Sequence, residues 1–442
     1  MTQLVYDKTS PDSILKFAQK LSGKTLAEAV NMTVATQNSK NKGDLGSLIE
    51  KYYFKYEPNS LQGPDFAEAG VELKTTGVVR KSQGGYKAKE RLVLSMINFM
   101  ALANEQWDAS SLMEKSQLML IIFYLYEKDI AVINRRFVLN PLLFEFPPED
   151  LAIIKRDWET IRQKILEGKA HELSEGDTFY LGACRKGSGG AKETLRDQPF
   201  SDIKAKSRAF SLKPSYVNKI IDGHTTEANI LNVSASVGLD EATQNKFKPY
   251  IGKSVDEISK MLDFYKQGKN DKGFYRSLTM RILGGSKQIV PELEKAGIEL
   301  KTMRVNANWK PAEAMSFPGF KYLEIINEDW EESSFFNKIE QKFLFVIFRE
   351  DKNKELRLEQ IMYWNMPFAD REEAQRVWED TKRRVAIDAS DLPKSIESRV
   401  AHVRPKARNA KDTLPTPQGT QLVKKCFWLN RDYIAGVIKS SS

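Results

Sequence analysis

The sequence is poor in cysteine and histidine, the residues that build disulfide frameworks and most zinc sites. Among 442 residues there are two cysteines, Cys184 and Cys426, and three histidines. Two cysteines exclude a disulfide framework and a four-cysteine zinc site. The three histidines are too far apart in sequence to suggest a metal cluster or a catalytic triad. We expect Cys184 to be an apolar strand residue.

Long hydrophobic runs are also absent. The longest, Leu118–Tyr126, has nine residues, about half of the ~20 that a membrane-spanning helix needs, and it predicts a buried strand. The first ten residues lack the basic segment followed by an apolar segment that marks a signal peptide. We therefore expect a soluble, cytoplasmic protein without a membrane partner.

Charge is plentiful and mostly balanced. Lysine and arginine number 68 against 59 acidic residues, which gives a formal net charge of +9. Such an excess favours nucleic acid or an acidic surface as the partner. A solvated basic protein explains the charge equally well, so the charge alone does not decide.

The chain contains an internal repeat. Five short motifs recur in the same order at offsets of 229, 230, 227, 223 and 219 residues. The longest is Pro64–Thr75, which recurs as Pro291–Thr302. Five collinear matches are hard to obtain by chance, and so long a period indicates duplicated domains rather than a solenoid. We predict two homologous domains, residues 1–222 and 223–442.

Local patterns predict a mixed α/β fold in which helices flank a central sheet. In the first half three helices are predicted: one that begins after the cap residue Ser10, one over Gly46–Phe54 and one over Pro148–Leu166. The predicted strands are Ala69–Thr75, Arg91–Ile97, Leu118–Tyr126, Phe179–Arg185 and Ser207–Leu212. In the first of these strands, Val71 and Leu73 alternate with Glu72 and Lys74, which predicts one buried face.

Acidic residues gather around this strand. Glu72 and Lys74 are two residues apart, so they share a face of the strand. Asp65 precedes them by a short loop, and Glu50 lies on the preceding helix. Carboxylates suit Mg²⁺, which activates water and stabilises a phosphate transition state, and a lysine neutralises developing charge. The pattern is typical of a metal-dependent phosphodiesterase, with Asp65 and Glu72 as ligands. The alternative is an exposed, salt-bridged strand.

The repeat keeps only part of this pattern. Glu299 and Lys301 match Glu72 and Lys74, but Met280 replaces Glu50 and Glu292 replaces Asp65. The loss of one carboxylate and the lengthening of another should spoil a near-octahedral Mg²⁺ site. We expect the first domain to be catalytic and the second not.

These residues together resemble the MutH family of mismatch-repair nicking enzymes and related type II restriction endonucleases that cut at GATC. The resemblance rests on Lys42–Glu50, Asp65 and Gly70–Thr75 in the first half, and on Val403–Lys411 in the second. It implies two tandem restriction-endonuclease-like domains and a Mg²⁺ centre. The implied catalytic residues are Glu50, Asp65, Glu72, Lys74 and, before a buried strand, Lys115.

The resemblance also implies which residues read the DNA. In the first domain they are Lys42, Gly43, Glu90 and Arg185, followed by Lys186, where the family has proline; in the second they are Lys272, Gly273, Glu313, Arg404, Pro405 and Lys406. Arginine can bond bidentately to guanine, and a carboxylate can accept from cytosine. The alternative is that these residues contact only the backbone of the duplex, or only maintain an inherited fold.

The doubled resemblance favours a GATC-cutting type II enzyme whose second domain binds another GATC copy as an effector, through a loop or a DNA-bound dimer. Two alternatives remain open at this point. One is a nicking enzyme of mismatch repair, and the other is a non-enzymatic GATC-binding protein.

Overall fold

The computed structural model describes residues 5–31, 44–56, 63–187, 195–223, 229–265, 273–285 and 290–440. Within these ranges, no helix is both long and apolar enough to cross a bilayer.

The first half of the chain alternates helices and strands. In chain order they are α1 (Pro11–Gln19), α2 (Leu26–Val30), α3 (Asp44–Leu48), β1 (Val71–Arg80), β2 (Tyr86–Ala88), β3 (Leu92–Met96), α4 (Phe99–Leu102), α5 (Ser111–Ser116), β4 (Leu118–Leu125), β5 (Leu142–Phe144), α6 (Pro148–Leu166), β6 (Leu181–Arg185), β7 (Leu195–Gln198), β8 (Ser201–Lys206), β9 (Arg208–Leu212) and α7 (Pro214–Asp222).

The second half repeats most of this order. Its elements are α8 (Leu239–Phe247), α9 (Val255–Met261), α10 (Phe274–Ile282), α11 (Pro291–Lys295), β10 (Glu299–Val305), β11 (Met315–Gly319), α12 (Tyr322–Ile325), α13 (Ser334–Ile339), β12 (Phe343–Glu350), β13 (Leu356–Trp364), α14 (Phe368–Ile387), β14 (Ala401–Pro405), β15 (Thr413–Pro415), β16 (Gln421–Val423), β17 (Lys425–Leu429) and α15 (Arg431–Lys439).

The sheets confirm that the two halves share one topology. The first has sheets of order β2-β1-β4-β5 and β3-β9-β6 with a β7-β8 hairpin, and the second has β10-β12-β13 and β11-β17-β14 with a β15-β16 hairpin. The central pair is parallel in both, β1 with β4 and β10 with β12. Each half is therefore a mixed α/β domain with several sheets flanked by helices, rather than one central sheet.

The strand that carries Glu72 differs from its prediction. It begins at Val71 and continues to Arg80, and Val71, Glu72 and Leu73 are all buried. The prediction of a single buried face is therefore wrong at this point. In this segment β1 pairs in parallel with β4, and parallel sheets are usually covered on both faces.

The two domains share a hydrophobic core. One cluster of buried residues combines Trp158 and Tyr216 of the first half with Leu231 and Leu293 of the second. Next to it, the buried Lys295 Nζ contacts both Asp150 carboxylate oxygens, at 3.0 and 2.9 Å.

α7 ends at Asp222, and Gly223 follows with φ +72°. The domain boundary predicted after residue 222 stays a prediction.

Candidate active site

Asp65, Glu72 and Lys74 form one hydrogen-bonded unit at the start of β1. The Asp65 amide donates to Glu72 Oε2 at 3.2 Å, and the Leu73 amide donates to Asp65 Oδ2 at 2.9 Å. Lys74 Nζ donates to Glu72 Oε1 at 2.7 Å. The loop therefore folds back onto the strand, and it brings two carboxylates and an ammonium group together.

Lys74 also joins the sheet of β1 to the sheet of β3. Its Nζ donates to the Leu94 carbonyl on β3 at 2.7 Å. Both lysine contacts are partly buried, so the ammonium group has a fixed position beside Glu72. A cation held in this way does not have to be ordered when a charged substrate arrives.

Glu50 lies on an irregular helix that faces this unit. α3 continues into a π-helical segment, Ile49–Phe54, and ends at Lys55 with φ +63°. Single π-helical turns are frequent at functional sites. Burial, then the charges of Asp65 and Glu72, raise the pKa of Glu50 to about 7. Burial, then the charge of Glu72, raises the pKa of Asp65 to about 6.

Lys115 lies in the last turn of α5, directly before β4. Its positive charge lowers the pKa of both Glu50 and Asp65, although burial outweighs it. The structure thus brings all five sequence-predicted catalytic residues into one electrostatic neighbourhood.

The donor set fits a hydrated divalent ion. In the part of the chain that the structure describes, no three His, Cys, Asp or Glu side chains are arranged to hold a metal. Asp65 and Glu72 offer a pair of carboxylates that could serve as oxygen ligands, and Glu50 is a nearby charge. Mg²⁺ typically takes one or two protein carboxylates and keeps several waters.

The predicted DNA-reading residues of the first domain line a cleft next to this unit. Glu90, Arg185 and Lys186 lie around a cavity of about 620 Å³ whose wall includes Thr75, the residue after Lys74. Lys42 and Gly43 lie outside the described residues. The cleft therefore reaches β1 one residue beyond Lys74, although Asp65, Glu72 and Lys74 themselves do not line it.

The second domain covers part of this cleft. Arg185 Nη1 donates to Glu331 Oε1 at 2.8 Å, and its guanidinium lies 5.0 Å from the Phe336 ring centre. Asn337 also lines the cavity. Sequence reasoning missed these three residues of the second domain, because no local pattern marks a contact between residues so far apart in sequence.

The predicted DNA-reading residues of the second domain are arranged differently. Arg404 is exposed, lies 4.6 Å from the Trp428 ring centre, and lines a cleft of about 1180 Å³ with Arg399 and Arg431. Glu313 lines a separate, smaller cavity of about 260 Å³. The structure therefore does not place Glu313 and Arg404 in one cleft, unlike Glu90 and Arg185.

The remaining predicted residues of the second domain are spread along its surface. Pro405 is exposed at the end of β14, and Lys406 donates from Nζ to the Phe317 carbonyl at 2.9 Å. Gly273 is the N-cap of α10. Lys272 is outside the described part of the chain.

In the second copy of the acidic unit, two lysines pair with the glutamate that corresponds to Glu72. Glu299 accepts from Lys301 at 2.7 Å and from Lys338 at 3.0 Å. Burial by itself would raise the pKa of Glu299, but the ammonium groups of Lys301 and Lys338 outweigh it and lower the pKa. Met280 is buried, and Glu292 instead accepts a hydrogen bond from the Leu231 amide at 2.8 Å.

The chain matches the family model of the DNA mismatch repair enzyme MutH twice, over residues 54–157 and 284–380. The two matches start about as far apart as the repeated motifs. They cover the acidic unit of the first domain and its altered copy in the second.

The known relatives match either nearly the whole chain or about half of it. The type II restriction enzyme Sau3AI of Staphylococcus aureus is 34% identical over 91% of both chains. The mismatch repair protein MutH of Vibrio campbellii is 27% identical over 98% of its own length but 50% of this chain, and that of Shewanella woodyi is 27% identical over 90% of its length and 48% of this chain. Only the first of these three relatives matches both domains, so the chain belongs to the MutH-related type II restriction endonucleases.

Proposed function

We propose that the first domain hydrolyses phosphodiester bonds of double-stranded DNA at GATC with Mg²⁺ as cofactor. The observation that carries this proposal is the hydrogen-bonded unit of Asp65, Glu72 and Lys74 beside the cleft lined by Glu90 and Arg185. A sequence-reading cleft that adjoins an acidic metal site is the arrangement that site-specific cleavage requires.

The residues of the site would divide the work. Asp65 and Glu72 would hold the ion, and Lys74 would neutralise charge that develops on the scissile phosphate. Bound there, Mg²⁺ supplies the positive charge that polarises the phosphate and activates water. Glu50, whose pKa burial raises to about 7, would accept the proton of the attacking water as the new P–O bond forms. The P–O bond to the leaving oxygen would break, and a solvent water would protonate that oxygen, while Lys115 would balance the negative charge of the site.

The duplication supplies matched controls for a test of this proposal. We expect Glu72→Gln and Lys74→Ala to abolish Mg²⁺-dependent cleavage of a plasmid that contains GATC, and to leave DNA binding largely intact. Glu299→Gln and Lys301→Ala make the same chemical changes in the second domain and should not alter the rate of the chemical step. Cleavage at the wild-type rate by either first-domain variant would refute the assignment.

The second domain is the effector in this proposal. It binds a second GATC copy, either on the same DNA through a loop or on another duplex through a DNA-bound dimer. The difference between two arginines supports this role. Arg404 of the second domain is exposed, whereas Arg185 of the first is partly covered by Glu331 and Phe336. DNA can therefore reach the second domain before the first-domain cleft opens.

Plasmids with one and with two GATC sites test the effector role. The wild-type enzyme should cut the two-site plasmid faster, and an oligonucleotide duplex containing GATC should restore cutting of the one-site plasmid. Mapping the cut ends establishes the target sequence in the same experiment. Equal rates on both plasmids, with no response to added duplex, would rule out the effector.

A further inference from the structure

Tyr56 lies between the two parts of the chain that carry the carboxylates of the candidate active site. Its amide donates to the Glu50 carbonyl at 3.2 Å, directly after the residue that ends the π-helical segment. Its ring packs edge-on against Phe66, at 5.3 Å between ring centres. Phe66 follows Asp65 in the chain and pairs with Val71, the neighbour of Glu72. Backbone and ring thus fix the position of the tyrosine relative to the acidic unit.

The hydroxyl of Tyr56 is buried and has no hydrogen-bond partner among the residues that the structure describes. Buried hydroxyl groups are usually paired, and an orphan in a native structure indicates a strain, a ligand or a functional role. Two other tyrosines of the same region are satisfied: Tyr6 donates to the Phe54 carbonyl and Tyr53 to the Phe17 carbonyl. Of these three tyrosines, the one with the unpaired hydroxyl is therefore also the one whose pKa is raised not by burial alone but also by the acids of the site.

The surroundings of Tyr56 keep its hydroxyl protonated. Burial, then the negative charges of Asp65 and Glu50, raise the pKa of Tyr56. A phenol under these conditions stays neutral at any working pH, and it serves as a hydrogen-bond donor to a carboxylate.

The second domain offers an internal comparison. The repeat aligns Met280 with Glu50, and the same offset aligns Ser286 with Tyr56. The structure of Ser286 lies outside the described residues. In sequence, the copy that lacks the Glu50 carboxylate also lacks the tyrosine.

We propose that the Tyr56 hydroxyl donates a hydrogen bond to the Asp65 carboxylate in the ion-loaded site and thereby orients this ligand. Asp65 already accepts from the Leu73 amide, and a second donor fixes the plane of the carboxylate. Outer partners of this kind orient metal ligands, and their loss typically costs about 10–100-fold in metal affinity. Tyr56 is a positioning residue, and its role rests on the function proposed for the same site.

The test compares Tyr56→Phe with Tyr53→Phe in the full-length protein without DNA. Mn²⁺ replaces Mg²⁺, since the electron paramagnetic resonance signal of free Mn²⁺ reports binding directly. We expect Tyr56→Phe to weaken Mn²⁺ binding by about tenfold or more, while the melting temperature of the metal-free protein is unchanged or higher. Tyr53→Phe loses a hydrogen bond that is made, so it should lower the metal-free melting temperature and keep wild-type Mn²⁺ affinity.

The outcomes separate this inference from the proposed function. Wild-type Mn²⁺ affinity in Tyr56→Phe would overturn the role of Tyr56, provided that Glu72→Ala abolishes binding. A wild-type protein that binds no Mn²⁺, or a Glu72→Ala variant that binds it normally, would overturn the proposed metal site and this inference with it.

Discussion

Arg185 of the first domain donates a hydrogen bond to Glu331 of the second at 2.8 Å, although the two residues are 146 positions apart in sequence. Lys206 Nζ lies 3.5 Å from the same carboxylate. A residue predicted to read DNA is thus held by another part of its own chain. Base reading by Arg185, as proposed above, would require this contact to break.

Removal of this carboxylate should make the enzyme less dependent on a second site. The pair is partly exposed, so Glu331→Ala should cost at most about 1 kcal/mol of stability and should raise one-site plasmid cleavage by about two- to fivefold. The measurement is the ratio of one-site to two-site cleavage rates. Glu332→Ala changes the charge equally at the exposed neighbouring residue and serves as the control. An unchanged ratio in Glu331→Ala would show that the contact does not restrain the cleft.

Arg404 should contribute to sequence recognition in the second domain. If its guanidinium contacts a base, Arg404→Ala should weaken binding of a GATC duplex by about 1–3 kcal/mol and relax specificity at one position. Competition binding against single-mismatch duplexes measures this, in a Glu72→Gln background that prevents cleavage. A uniform loss for all duplexes would instead identify Arg404 as a phosphate contact. In either case affinity should fall steeply with salt, because phosphate contacts release counterions.

Replacing the carboxylate by an amide should have different effects at Asp65 and at Glu292, its counterpart in the second domain. Asp65→Asn removes a proposed metal ligand and should abolish single-turnover cleavage. Glu292→Gln keeps an oxygen to accept from the Leu231 amide, so the chemical step should proceed at the wild-type rate. Rapid quenching of a pre-formed enzyme–DNA complex measures the step for both variants. Equal loss in both would mean that the second domain takes part in the chemistry.

The buried ion pair between the domains should matter for stability. Lys295→Met leaves Asp150 buried, and among the described residues the Tyr216 hydroxyl, at 2.8 Å, is then its one side-chain hydrogen-bond donor. Loss of one partner of a buried pair costs about 3–5 kcal/mol, which urea unfolding would detect. The double variant Asp150→Asn with Lys295→Met removes both charges and should recover much of this loss. A double variant no more stable than the single one would contradict this account.

The sequence alone determined the duplication, the family and the identity of the acidic residues. Repeated motifs, such as Pro64–Thr75, are local strings, so they need no tertiary information. Several elements were predicted close to their observed bounds: α6 matches exactly in residues Pro148–Leu166, and β4 matches except for its last residue. These segments have strong periodicity or clear terminal signals, such as Pro148 at the first helical position.

Tertiary structure decided the environment of each of these residues. Glu72 is buried where the Asp65 loop and Lys74 close over it, and the pairing of Glu299 with Lys338 joins residues 39 positions apart. The cover over Arg185 and the orphan hydroxyl of Tyr56 likewise depend on contacts between distant segments. A linear pattern specifies which side chains are available, but only packing specifies which charges meet, because desolvation and pairing are set by neighbours in space.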